Sequence, residues 1–205
     1  MTTPEELWHD TDWARLFHAY GDARDTRAIL AELVDPDGPV ERAREHLASA
    51  IVHQGSVWPA SAPALSIALA VVRRDVGRDR FSDADVVDVL GTLADAAEVR
   101  YHVVPPNPVL SAATAALIEQ HLGEDADADE VEEFLTELFA DGPLGDEVMT
   151  VAAWQVQRLQ PEVLATLDMV AEQRSSLVEA VAYARTAWTE DRTSWADDPG
   201  AAGRV

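Results

Sequence analysis

Apolar residues recur at steps of three and four along almost the whole 205-residue chain. The clearest stripe consists of Val131, Phe134, Leu135, Leu138 and Phe139, which would lie on one face of a helix. No segment shows sustained alternation of apolar and polar residues, so we expect no β-sheet. The spacing therefore predicts an all-α protein.

Several helices can be placed from local signals. A first helix, or two short helices broken near Asp10, is predicted over residues 4–19, and the nearly all-apolar residues 60–73 predict a central helix. Residues that favour a helix N-terminus mark four further starts: Asp25, Ser82 with Asp85, Asn107 before Pro108, and Ser176 with Glu179.

The order of these helices predicts one domain. Residues 25–54 and 108–140 each read as a helix–turn–helix unit of about thirty residues, close to the length of solenoid repeats. We therefore expect residues 1–189 to form a single all-α helical-repeat domain, with antiparallel helix pairs stacked as a HEAT-like α-solenoid or a right-handed helical array. Residues 190–205 contain Gly, Pro and Asp without periodicity and are predicted to form a flexible acidic tail.

The charge of the chain limits its partners. The sequence has 38 acidic and 15 basic residues, the latter all arginine, and a net charge of −23. Such a chain repels nucleic acids and anionic membranes, and its natural complement is a basic protein; the alternative is that the acidity serves only solubility. The absence of lysine excludes a Walker A loop and a Schiff-base lysine.

The compartment also follows from composition. The chain has no cysteine, which fits a reducing environment. Its first residues are not basic and precede no long apolar run, unlike a secretory signal, and no apolar run approaches the ~20 residues that span a bilayer. We expect a cytoplasmic protein that does not bind membranes.

The negative charge is concentrated in the middle of the sequence. Twelve acidic residues and no basic ones lie between Arg100 and Arg158. Because most of these acidic residues flank the apolar stripe at Phe134, we expect them on an exposed face. The residues predicted to bind a basic partner there are Glu130, Glu132, Glu133 and Glu137.

The first third of the chain contains two recognisable phrases, one over residues 17–26 and one over residues 53–63. The first begins Phe17-His18-Ala19-Tyr20-Gly21, and the second begins His53-Gln54-Gly55 and continues to Trp58. Over roughly residues 8–72 the chain resembles bacterial HEAT-repeat-like proteins, in which a similar HAYG phrase is followed, after two helices, by HQG and an aromatic residue. Some of these proteins are associated with toxin-immunity genes, which implies binding rather than catalysis.

The phrases have a structural and a functional interpretation. In the structural interpretation, Gly21 and Gly55 end helices with left-handed backbone, and the neighbouring aromatic residues and His53 seal the junction. In the functional interpretation, the phrases form a peptide-binding or protein-binding surface. The residues of that surface would be His18, Tyr20, His53, Gln54 and Trp58.

Motifs of catalysis or metal binding are absent from the sequence. No HExxH, GxSxG or GxGxxG phrase occurs, and the six histidines lack the spacing of a helical metal site. Asp125, Asp127 and Asp129 begin like a calcium loop, but Glu130 and Thr136 stand where glycine and glutamate are needed. We predict no enzyme, metal or cofactor.

The prediction is therefore a non-enzymatic module that binds a basic protein. One alternative is an immunity protein that neutralises a toxin. Another is a HEAT-like DNA glycosylase, which the net charge disfavours.

Overall fold

The computed structural model describes residues 2–140 and 142–190 and is mostly helical, as the apolar spacing predicts, with 70% of residues in helices and 4% in strands. The α-helices are α1 Pro4–Asp10, α2 Arg24–Val34, α3 Glu41–His46, α4 Ser61–Asp75, α5 Asp83–Ala96, α6 Ala112–His121, α7 Ala128–Phe139, α8 Pro143–Gln157, α9 Gln160–Gln173 and α10 Val178–Thr189. Short 3₁₀ segments occur at Trp13–Arg15, Ala97–Tyr101 and Ser175–Leu177, and α3 continues as a π-helix over Leu47–Ile51.

The expectation of no sheet is wrong, because the described part of the chain contains two small antiparallel hairpins. The first pairs β1 (Phe17–His18) with β2 (Gly21–Asp22), and the second pairs β3 (Val52–His53) with β4 (Ser56–Val57). Each strand has two residues, too few for an alternating pattern to be visible. The first hairpin lies within the first phrase of the sequence analysis, and the second hairpin, residues 52–57, includes the start of the second phrase; we call them the first and the second hairpin.

Gly21 and Gly55 have positive φ angles but lie in the hairpins rather than at helix ends, which corrects the structural interpretation. Gln54 and Gly55 have φ values of 51° and 78°, so both central residues of the second hairpin turn are left-handed. Turns of this kind match the twist of the strands that they join. The glycine therefore serves the hairpin turn.

Some of the predicted helix boundaries are confirmed and others are wrong. Ser82 and Asp85 form the predicted capping box at α5, and the first helix does break at Asp10. Asp25, however, lies inside the first turn of α2, and α6 begins after Ser111 rather than at Asn107. Ser176 precedes α10 within a 3₁₀ turn and donates to Asp83 at 2.6 Å, so its predicted capping role is also wrong.

The predicted central helix is confirmed as α4. Eleven of its fifteen residues are buried, and it packs against α1, α2, α5, α8 and α9. Farther along, α10 packs on α5, where the indole N–H of Trp188 donates to the carbonyl of Leu93 at 2.7 Å. These contacts join parts of the chain that lie far apart in sequence.

Within residues 2–140 and 142–190, the buried apolar side chains form two clusters. The larger one is centred on α4, whereas the smaller one contains Phe17 and the buried stripe of α7: Val131, Phe134, Leu135 and Leu138. Phe17 comes from the first hairpin, so the smaller cluster joins that hairpin to α7.

At the C-terminal end of α4, the fully buried Asp75 carboxylate accepts hydrogen bonds from Arg74 and Arg80, and Arg78 lies 3.1 Å away. Arg80 also donates to the carbonyls of Leu33 and Gly38. The buried carboxylate thus organises arginines that hold the loop after α2.

Two further sequence predictions concern membranes and the end of the chain. Across residues 2–140 and 142–190, the structure contains no helix with the length and apolar character needed to cross a membrane. Apart from Glu190, the predicted tail over residues 190–205 lies outside the described residues.

Candidate functional site

An open groove of about 890 Å³ lies between the first hairpin and α7. We call it the hairpin groove. From the hairpin side it is lined by residues 17–22 with Asp25 and Trp58, and from α7 by Val131, Glu132, Leu135, Thr136 and Phe139. Four of the nine predicted binding residues, His18, Tyr20, Trp58 and Glu132, therefore meet in one place.

The Arg24 side chain connects the two walls of the hairpin groove by hydrogen bonds. Both carboxylate oxygens of Asp22 accept hydrogen bonds from the Arg24 guanidinium at 2.9 Å, and this pairing lowers the pKa of Asp22. The same guanidinium donates to the carbonyl of Ala126 at 2.9 Å, just before α7. The Arg24 guanidinium therefore links the end of the first hairpin to the segment just before α7, which forms the opposite wall.

The apolar side of the groove is aromatic. The ring of Phe139 meets the rings of Phe17 and Trp58 edge to face, with centroid distances of 5.7 and 5.6 Å, and remains 39% exposed. The indole N–H of Trp58 is buried and has no hydrogen-bond acceptor among the described residues. A buried donor without a partner costs about 1–3 kcal/mol unless ordered water satisfies it.

Below the first hairpin, His18, Asp25 and His46 lie together. Nε2 of His18 donates to Oδ1 of Asp25 at 3.0 Å, and this hydrogen bond lowers the pKa of Asp25. The backbone N–H of Tyr20 donates to Nδ1 of His18 at 3.2 Å. His46 is in edge-to-face contact with His18, and burial lowers the pKa of His46 to about 4.

The second hairpin contributes only indirectly. The hydroxyl of Tyr20, whose residue is 67% exposed, lies 3.2 Å from Nδ1 of His53, and the same nitrogen lies 2.9 Å from the carbonyl of Ser49. Gln54 is exposed in the second hairpin turn and does not line the hairpin groove. The structure thus brings His53 next to the groove and leaves Gln54 outside it.

The predicted acidic residues are all exposed on α7. Glu132 lines the hairpin groove, and the same residue borders a shallow depression with Asp129, Glu133 and Glu137. Glu130 lines neither surface. The acidic face of α7 therefore continues from the edge of the groove.

Sequence reasoning misses three residues of this region. In the sequence, Asp25 resembles a helix cap, His46 is closest in spacing to His53 rather than to His18, and Phe139 belongs to the apolar stripe. The sequence signal that could have identified Phe139 is its position at the C-terminal end of that stripe, where an apolar residue can remain partly exposed. Only the tertiary fold brings Asp25 and His46 to His18.

Comparisons with protein-family models, with curated proteins and with solved structures give no match to this chain. The resemblance of residues 8–72 to HEAT-repeat-like proteins stays a prediction. The geometry of the hairpin groove is therefore the basis on which a function is proposed below.

Proposed function

We propose that this protein binds a basic, amphipathic segment of a partner protein in the hairpin groove. The observation that carries the proposal is the continuity of an aromatic floor with an acidic wall. Phe139 and the partly buried Trp58 offer apolar surface above the buried ring of Phe17, and Glu132 lies beside them with more carboxylates on the same helix. A segment with apolar and arginine or lysine side chains on one face would satisfy both surfaces.

The aromatic residues that line the hairpin groove support the same proposal. Tryptophan and tyrosine are the residues that most often dominate binding energy at protein interfaces. Tyr20, exposed at the edge of the groove, would cover the segment from the hairpin side.

The charge of the chain favours a basic partner over a nucleic acid. The net charge of −23 opposes phosphate backbones, and neither the hairpin groove nor the depression on α7 is lined by an arginine. A toxin of the nuclease type, with a basic nucleic-acid-binding surface, belongs to the class of partner proposed here, so the immunity role is a narrower form of the same proposal. We extend the proposal to a HEAT-like stacking of the helix pairs and to a cytoplasmic location.

A defined peptide tests the proposal. The probe is a fluorescent synthetic peptide with leucine, phenylalanine and arginine at helical spacing, and a peptide of the same pattern with glutamate in place of arginine is its control. We expect the basic peptide to bind at low salt, to bind more weakly at high salt because the charges are screened, and to shift the NMR signal of the Trp58 indole. Equal binding of the acidic peptide, or an unmoved indole signal, contradicts the proposal.

A further inference from the structure

Three side chains that commonly bind metal ions converge beside the first hairpin. His18 lies in β1, Asp25 in the first turn of α2, and His46 at the end of α3. One ligand atom from each lies within 4.8 Å of the others. The residues come from three separate elements, so their proximity is produced by the fold rather than by helical spacing.

The two histidines of the cluster are shielded from solvent, whereas the aspartate is accessible to it. His18 and His46 are 6% and 9% exposed, whereas the Asp25 side chain is 56% exposed. His18 and Asp25 also line the hairpin groove, which gives an ion a path from solvent. His46 stands directly before the π-helix Leu47–Ile51, and π-helical segments are rare and frequent at functional sites.

We propose that His18, Asp25 and His46 bind a divalent first-row transition metal ion, with Zn²⁺ as the probe ion, and that its remaining coordination position faces the hairpin groove. Two imidazoles and one carboxylate form a ligand set that suits zinc and its neighbours, and three protein ligands leave a position for water or another ligand. Mg²⁺ and Ca²⁺ prefer oxygen ligands and fit this site poorly.

The hydrogen bonds among these side chains hold the ligand atoms in place. Nε2 of His18 donates to Oδ1 of Asp25 at 3.0 Å. The Thr26 hydroxyl lies 2.8 Å from Nε2 of His46 and 3.4 Å from Oδ1 of Asp25. Its proton can turn toward Asp25 when the imidazole nitrogen binds an ion.

Metal binding would also change a hydrogen bond in the turn of the first hairpin. In the metal-free arrangement, the Tyr20 amide donates to Nδ1 of His18, so the proton of a neutral ring is on Nε2. An ion bound at Nε2 moves this proton to Nδ1 and breaks the Tyr20 hydrogen bond. The Tyr20 amide is therefore a reporter that lies outside the set of ligands.

Calorimetric titration of the chelator-treated full chain with Zn²⁺ tests the inference, with Mg²⁺ as the control ion. We expect one Zn²⁺ site, a shift of the Tyr20 amide in NMR spectra, and a loss of affinity of roughly tenfold or more in both Asp25→Asn and His46→Ala. His102→Ala, which changes an exposed histidine elsewhere, should bind as the parent does.

The outcome of Asp25→Asn decides the inference even if His46→Ala does not fold, because the Asp25 side chain is largely exposed. Weak binding of several ions that Asp25→Asn leaves unchanged would overturn it, since surface carboxylates would then be the ligands. An unmoved Tyr20 amide under saturating Zn²⁺ would also contradict it. Peptide binding that fails while the zinc site is intact would reject the proposed function alone.

Discussion

The ring of Phe139 stands edge-on to the ring of Trp58, with the centroids 5.6 Å apart, although the two residues come from opposite walls of the hairpin groove. Phe139 is the last residue of α7 and is 39% exposed, whereas Phe134 on the same helix is 7% exposed. Two phenylalanines on one helix thus lie in different environments, one in a groove and one in a core.

This difference predicts that replacing Phe134 with alanine mainly lowers stability, whereas replacing Phe139 with alanine mainly weakens binding. Phe134→Ala removes a buried ring and should lower the free energy of unfolding by about 3–5 kcal/mol. Phe139→Ala should cost less stability, because part of its surface is already in water, and should weaken binding of the basic peptide. Chemical denaturation and fluorescence anisotropy measure the two effects. A Phe139→Ala variant that binds the peptide as tightly as the parent contradicts the role of the aromatic floor.

Trp58→Phe should separate stability from binding. The substitution removes the buried, unpaired indole N–H, which stabilises the fold, and also part of the ring, which destabilises it, so the free energy of unfolding should change by no more than about 1 kcal/mol. Peptide affinity should fall by roughly fivefold, which corresponds to about 1 kcal/mol of lost apolar contact with the smaller ring. The two quantities are measured by urea denaturation and by anisotropy. A loss of stability without a loss of affinity would show that the indole serves packing alone.

Charge reversal on α7 should act on binding through electrostatics. Glu132→Lys, alone and combined with Glu133→Lys and Glu137→Lys, should weaken the basic peptide at low salt and have a smaller effect at high salt. Glu172→Lys is the matched control, because Glu172 is an exposed glutamate on α9, outside the groove. Equal effects of the α7 and α9 reversals would mean that only the overall charge matters.

Asp75 should make the fold sensitive to acid. Burial raises the pKa of its carboxyl, but the hydrogen bonds from Arg74 and Arg80 outweigh burial, and the pKa lies below its usual value. The unfolded chain therefore takes up this proton at a higher pH than the folded chain does. The stabilisation is complete above the unfolded pKa of about 4 and is lost as the pH falls through the lower, folded pKa.

Asp75→Asn tests this role. The neutral side chain leaves Arg74 and Arg80 without their buried counter-charge, so the free energy of unfolding near pH 7 should fall by about 3–5 kcal/mol. The variant should also lose part of the parent's dependence on pH below about 4. Urea denaturation across the acidic range measures both. A variant as stable as the parent at neutral pH would show that the arginines are satisfied by their carbonyl partners.

A pair of glycine substitutions tests the second hairpin turn. At Gly55, φ is +78° and a Cβ atom would lie 3.3 Å from Cγ of Glu98, so Gly55→Ala should destabilise the fold by about 1–2 kcal/mol. Gly91 lies within α5, and a Cβ atom added there would meet no neighbouring atom within 4 Å, so Gly91→Ala should stabilise by about 0.5–1 kcal/mol. Thermal or chemical unfolding gives both values, and a Gly55→Ala variant as stable as the parent would reject the turn assignment.

The sequence carries enough information to predict the helices but not the hairpins. The α7 stripe has five apolar positions at helical spacing, and Ser82 with Asp85 marks the start of α5 by chemistry that is local. The hairpin strands have only two residues each, so their pattern cannot be separated from that of a helix end. The left-handed backbone at Gly55 is predictable, but a positive φ fits a helix terminus and a hairpin turn equally well.

The candidate site divides in the same way. His18, Tyr20 and Trp58 stand in phrases that attract notice, and the exposure of Glu132 follows from the stripe that it flanks. His46 and Asp25 reach His18 only through the packing of α2 and α3, which no spacing in the sequence encodes. The wall of the groove at Phe139 likewise depends on how α7 meets the first hairpin.

Strand β1 is only two residues long, and its two side chains serve different neighbours: Phe17 joins the α7 cluster, and His18 hydrogen-bonds to Asp25. One planar peptide unit connects the two residues, so a shift of the β1 backbone at Phe17 also reaches His18. A guest whose binding shifts this backbone would therefore also change the hydrogen bond from His18 to Asp25. If the guest changes the affinity of His18 for an ion, then by thermodynamic reciprocity the bound ion changes the affinity for the guest by the same factor.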